Sequence, residues 1–93
     1  MKEEIRDYRD LLERFLAREL AVEQFQVMYL AIFKNESRRL DEPEFLLLDE
    51  LFGDVDSFTA DPELLAEQPD FYIDEQTLRA KVRHIAANMH GLV

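Results

Sequence analysis

Apolar residues in this 93-residue chain recur at three- and four-residue intervals, and no stretch alternates apolar with polar as a half-buried strand does. A helix gathers such residues onto one stripe; a strand scatters them over both faces. Ile5, Tyr8, Leu12, Phe15 and Leu16 form the first stripe and predict an amphipathic helix over about 3–18. A second helix is expected over about 21–34, with Phe25, Met28, Tyr29, Ile32 and Phe33 on its apolar side. It is apolar around more of its circumference than the first, so it is expected deeper in the core. Residues 18–20 hold neither Gly nor Pro, and the pattern there admits two helices or one long kinked one.

Capping signals punctuate the rest. Asp41-Glu-Pro-Glu44 reads as an N-cap, a first-turn proline and a capping-box glutamate, with Leu40 and Phe45 placed for a hydrophobic staple. The helix it opens is expected over about 42–58, with Phe45, Leu48, Leu51, Phe52, Val55 and Phe58 facing inward. Gly53 in its middle costs roughly 1 kcal/mol against alanine and permits either a bend or the close approach of another backbone. Asp61-Pro62 opens a short turn over 62–67. Asp74 caps the last helix, Ile73 and Leu78 can staple it, and Leu78, Val82, Ile85 and Met89 form its stripe, with Gly91 as the stop. The predicted fold is all-α: an antiparallel four-helix bundle with a short extra helical turn before the last helix, in one domain over 1–93.

A domain of this size buries roughly 60–65% of the surface that its unfolded chain exposes, so its core is small. Hydrophobic residues at 47%, including seven Phe and three Tyr, are too many for disorder despite a net charge of −10. The chain has no cysteine, which removes disulfides, zinc-thiolate sites and a thiol nucleophile. No apolar leader and no apolar run of about 18 residues is present, and a cytoplasmic location is expected.

The charge is segregated. From Asp41 to Glu75 there are 13 acids and no Lys or Arg, whereas the other 58 residues hold 8 acids and 11 bases. Direct nucleic-acid binding by the acidic third is disfavoured, and a basic protein partner is favoured. The plainest alternative is that the acidity serves solubility alone. Asp49, Glu50, Asp54, Asp56 and Ser57 are expected on the solvent side of the third helix, extended by Asp61 and Glu63. A row of carboxylates on a rigid helix can stand in for nucleic-acid phosphates in a basic cleft.

Catalytic and metal chemistry lack a constellation. His84 and His90 are six residues apart, off the four-residue spacing of a helical metal pair, and no cofactor is expected. Ser37 and Ser57 sit in no nucleophile motif, and two glycines do not build a phosphate loop. Setting Gly53 at the sixth position of a calcium loop puts Leu48 where a ligand aspartate is required, so that match fails. The chain is not expected to be an enzyme.

Phe15-Leu-Ala17, Val22-Glu-Gln-Phe25, Glu50-Leu-Phe52, Asp56-Ser-Phe58 with Asp61, and Phe71-Tyr-Ile-Asp-Glu-Gln-Thr-Leu78 with Val82 and Arg83 form a dispersed pattern. In it the chain resembles the bacterial self-protective colicin-like immunity family, to which the colicin D immunity protein belongs. The resemblance implies a small antiparallel four-helix bundle that binds the nuclease domain of a toxin cleaving transfer RNA. In such proteins an acidic surface covers the basic active-site cleft; related ones protect cells that deliver toxins by contact-dependent inhibition. It implies one-to-one binding to that toxin, with no direct contact to nucleic acid or membrane. By position, Asp56 and Asp61 match family carboxylates and Glu50 and Glu63 lie beside them, while Asp49 and Asp54 are additional acids. Thr59 departs, standing where the colicin D relative has a glutamate, which points to a different cognate toxin. Arg38 and Arg39 fall in the family's basic stretch. A regulator of some other basic protein, an acidic adaptor or nucleic-acid mimic, is the alternative.

Overall fold

The computed structural model describes residues 6–37 and 40–90, apart from the side chain of His90. Among the described residues five helices follow one another: α1 (Arg6–Leu16), α2 (Val22–Lys34), α3 (Glu42–Asp56), α4 (Pro62–Glu67) and α5 (Glu75–His90). The long helices α1, α2, α3 and α5 close a ring in which each packs on two neighbours. Side-chain pairs set the directions. Tyr8 near the start of α1 meets Phe33 near the end of α2, while Phe15 near the end of α1 stacks on Phe25 near the start of α2, with centroids 4.2 Å apart. Tyr29 bonds to Leu48, and Gln26 reaches Val55, so α2 and α3 also run in opposite senses. The expected antiparallel bundle is therefore present, with α4 as the extra turn.

The junction between α1 and α2 is resolved as two helices. Arg18 adopts φ 65°, the left-handed conformation that glycine usually supplies at a helix end. Around it the Glu19 N–H donates to the Arg14 carbonyl at 2.9 Å and the Arg18 N–H to Phe15 at 3.1 Å, the two bonds of a Schellman stop. Ala21 is the N-cap of α2, and its N–H donates to the Gln24 side chain at 2.9 Å; an alanine has no oxygen with which to return the bond.

Tyr8, Leu12, Phe15, Phe25, Tyr29, Leu51, Leu78 and Val82 are fully buried. Each Leu, Phe and Val among them contributes on the order of 1.5–3 kcal/mol of transfer free energy. Helix α2 does not lie deeper than α1, contrary to its composition. Val22, Phe25 and Tyr29 face inward, while Val27 and Met28 lie on an exposed face.

Two further expectations are corrected at the start of α3. Glu44, expected to close a capping box, is buried, and the Asp41 side chain makes no cap bond to this turn; its backbone carbonyl accepts the Phe45 N–H instead. Phe45, expected to face inward, is 44% exposed and rests on Phe33 at 6.1 Å. Leu48, Leu51 and Val55 are buried, and Phe52 is half-buried. The caps of α4 and α5 are made as expected: Asp61 accepts from the Glu63 N–H and Asp74 from the Thr77 N–H, both at 2.9 Å. The first residues of the expected first helix, the Gly91 stop, Arg38 and Arg39 lie outside the described residues.

Candidate functional site

The rotation of α3 decides where its carboxylates go. With Glu44, Leu48, Leu51 and Val55 turned inward, Asp49 and Asp56 are exposed, seven residues apart and two turns along the same side. Glu50, exposed, and Asp54, half-buried, are four residues apart on another flank. At about 100° per residue the two pairs stand roughly 100–160° apart around the axis. Between them lies Gly53, where an added Cβ meets nothing within 4 Å. Among the described residues nothing packs closely enough on this position to require a glycine.

Glu50 and Asp54 line a groove of about 620 Å³ between α3 and α5, facing Thr77, Ala80, Lys81 and His84. The Lys81 Nζ lies 3.9 Å from Asp54 Oδ1, a long ion pair of small worth. Burial pushes the Asp54 carboxyl above its ordinary pKa; Lys81 pulls it back, and Glu50 pushes it further up. Asp54 is therefore the most enclosed carboxylate of the set, and its burial disfavours its charge.

Asp61 and Glu63 open α4. Asp61 uses one carboxylate oxygen on the Glu63 N–H, and its own N–H donates to Thr59 Oγ1 at 3.1 Å. Thr59 thus holds the turn that presents Asp61. The base of this loop is clamped by a parallel bridge: the Thr59 N–H donates to Ile73 and the Ile73 N–H to Ser57, at 3.1 and 3.0 Å. From the other side the Gln26 carboxamide donates to the Val55 and Phe58 carbonyls at 3.0 and 3.3 Å. The Val55 carbonyl lies in the last turn of α3, where a helix lacks its own donors, and the Phe58 carbonyl lies just beyond the helix end.

Behind Asp49 the Tyr29 hydroxyl donates to the Leu48 carbonyl at 2.7 Å. Burial, chiefly, drives that hydroxyl well above the ordinary tyrosine pKa, so it stays a proton donor. His84 is exposed, with Asn88 Nδ2 3.2 Å from its Nε2. Among the described residues no three His, Asp or Glu side chains converge on a metal position. What this surface offers is fixed negative charge and hydrogen-bond acceptors on a braced scaffold. Lys81 was not signalled by the sequence, because its tie to Asp54 is made only when α5 folds back on α3.

The profile of the family described as bacterial self-protective colicin-like immunity matches residues 4–89. The chain belongs to that family. It is accordingly an immunity protein that inhibits a toxin by binding it. No curated protein sequence and no solved structure gives a significant match. Among the described residues of this colicin-like immunity protein, no helix is long and apolar enough to cross a membrane.

Proposed function

We propose that this immunity protein neutralises a nuclease toxin, one whose C-terminal domain cleaves transfer RNA, by covering its basic active-site cleft with the acidic surface of α3 and α4. The observation that supports it most is the charge segregation: 13 acids and no Lys or Arg from Leu40 to Leu78, the segment that builds both helices. Asp49, Glu50, Asp56, Asp61 and Glu63 are exposed on it, and Asp54 lies half-buried at its edge. A cleft shaped for RNA phosphates attracts such a surface by the same field, which speeds encounter and weakens as salt screens it. Occlusion makes and breaks no bond, so it requires no catalytic group. The protein acts as one domain, one-to-one with its toxin, in the cytoplasm where transfer RNA is exposed to attack.

Growth rescue tests the proposal. The nuclease domain encoded beside this gene is expressed in a sensitive bacterium with and without the protein, and transfer-RNA integrity is followed. Intact RNA and restored growth are expected. Continued cleavage in the presence of folded protein would favour an acidic regulator of some other basic protein.

A further inference from the structure

Phe71 is 73% exposed, more than any other large apolar side chain among the described residues. It sits in the segment between α3 and α5, with Asp61, Glu63, Glu67 and Asp70 and no Lys or Arg. Its backbone is held. The Phe71 and Tyr72 N–H groups both donate to the Gln68 carbonyl, at 3.0 and 3.1 Å, and the bridge at Phe58 and Ile73 ties off the segment's base. The ring makes a tilted contact with Tyr72 at 6.4 Å. A large aromatic left in water on an ordered backbone loses little conformational freedom when a partner covers it.

We infer that Phe71 is an apolar anchor of the toxin interface, entering a hydrophobic recess on a basic protein surface while the acids of the α4 segment meet the cations around it. The inference rests on the function proposed above. Charge chooses the occupant. A second copy would bring two acidic segments together, and an anionic lipid surface or an RNA backbone would meet like charge, whereas a basic protein is attracted. Anchors of this kind, an aromatic residue within a polar rim, carry a large share of binding energy, and removing one acts mainly on dissociation.

Binding kinetics of Phe71→Ala and Glu67→Gln/Asp70→Asn against the toxin domain encoded beside the gene test this, with sedimentation of the free protein alongside. For Phe71→Ala the expected result is dissociation faster by about tenfold to a hundredfold, with association rate and melting temperature near wild type. Phe71→Leu should recover part of the loss. The carboxylate pair should instead slow association, most at low salt. Wild-type dissociation by Phe71→Ala from a toxin that the wild-type protein binds would overturn the anchor and leave the toxin function standing. A wild-type dimer made monomeric by Phe71→Ala would assign the ring to self-association and overturn it as well. Failure of the wild-type protein to bind would overturn the toxin function and the anchor together.

Discussion

The guanidinium of Arg79 lies 4.2 Å from the centroid of the Phe15 ring and donates through Nη1 to the Phe15 carbonyl at 2.8 Å. That carbonyl belongs to the last turn of α1, where the helix dipole is negative and a cation is favoured. The same arginine bonds Glu75 at 2.9 Å, so one side chain joins the first turn of α5 to the end of α1. Arg79→Met should lower stability by about 2 kcal/mol, since a charged hydrogen bond and a ring contact go together. Glu75→Gln should cost less than about 0.5 kcal/mol, as half-exposed ion pairs do. Urea unfolding of both variants checks the ranking.

Arg18 is the second test of the α1 end. A side chain at φ 65° carries a steric cost of about 1–2 kcal/mol that glycine does not. Part of that gain is offset by the greater freedom of glycine in the unfolded chain. Arg18→Gly should therefore raise stability by about 0.5–1 kcal/mol, whereas Arg18→Val should lower it.

Gly53→Ala should also stabilise. The added Cβ meets open space, and alanine gains about 1 kcal/mol over glycine inside a helix. For a chain of this size that is a rise of roughly 4–8 °C in Tm.

Two carboxylates give opposite pH effects. The Thr77 N–H holds Asp74 below its ordinary pKa of 3.8, so its contribution is fully present above pH 3.8 and is lost as pH falls through the depressed folded value. Asp74→Asn, which does not titrate, should lose less stability than wild type on acidification below pH 3.8. Asp54 is raised by burial, so its charge works against the fold above the folded value and not below pH 3.8. Asp54→Asn should accordingly be at least as stable as wild type at pH 7, with the difference vanishing in acid. Unfolding midpoints from pH 2 to pH 7 read both.

The helix starts were legible where an aspartate and a proline stand together or an aspartate follows a staple residue, at Asp61-Pro62 and Asp74. At α3 the same logic misplaced two side chains. Glu44, Leu48, Leu51 and Val55 follow one helical stripe, and continuing that stripe backward puts Glu44 inside and turns Phe45 about 100° away. The staple pattern at Leu40 and Phe45 competes with that stripe and points Phe45 the other way. The α1 stop was hidden because an arginine took the position where glycine is the usual signal. The bridge at Phe58 and Ile73, and the tie of Lys81 to Asp54, join residues far apart in sequence, and no local pattern encodes such meetings. Of the expected site, the acids were legible as composition. Their division between a groove flank and an outer face depended on the exact rotation of α3.

Asp49→Lys/Asp56→Lys isolates the central claim, because both residues are exposed and neither caps a helix. Asp56 closes the last turn of α3, where lysine suits the helix dipole better than aspartate, so the change does not undermine the fold. Asp61 is better changed to asparagine, which keeps an oxygen for its cap. The measurement is transfer-RNA cleavage by the toxin nuclease at increasing concentrations of wild-type and double-variant protein, with circular dichroism as the control. The expected result is a helical variant that needs at least about a hundredfold more protein to stop cleavage, as reversing interface charges implies. Undiminished inhibition by a folded double variant would contradict the acidic face of α3 as the surface that closes the toxin.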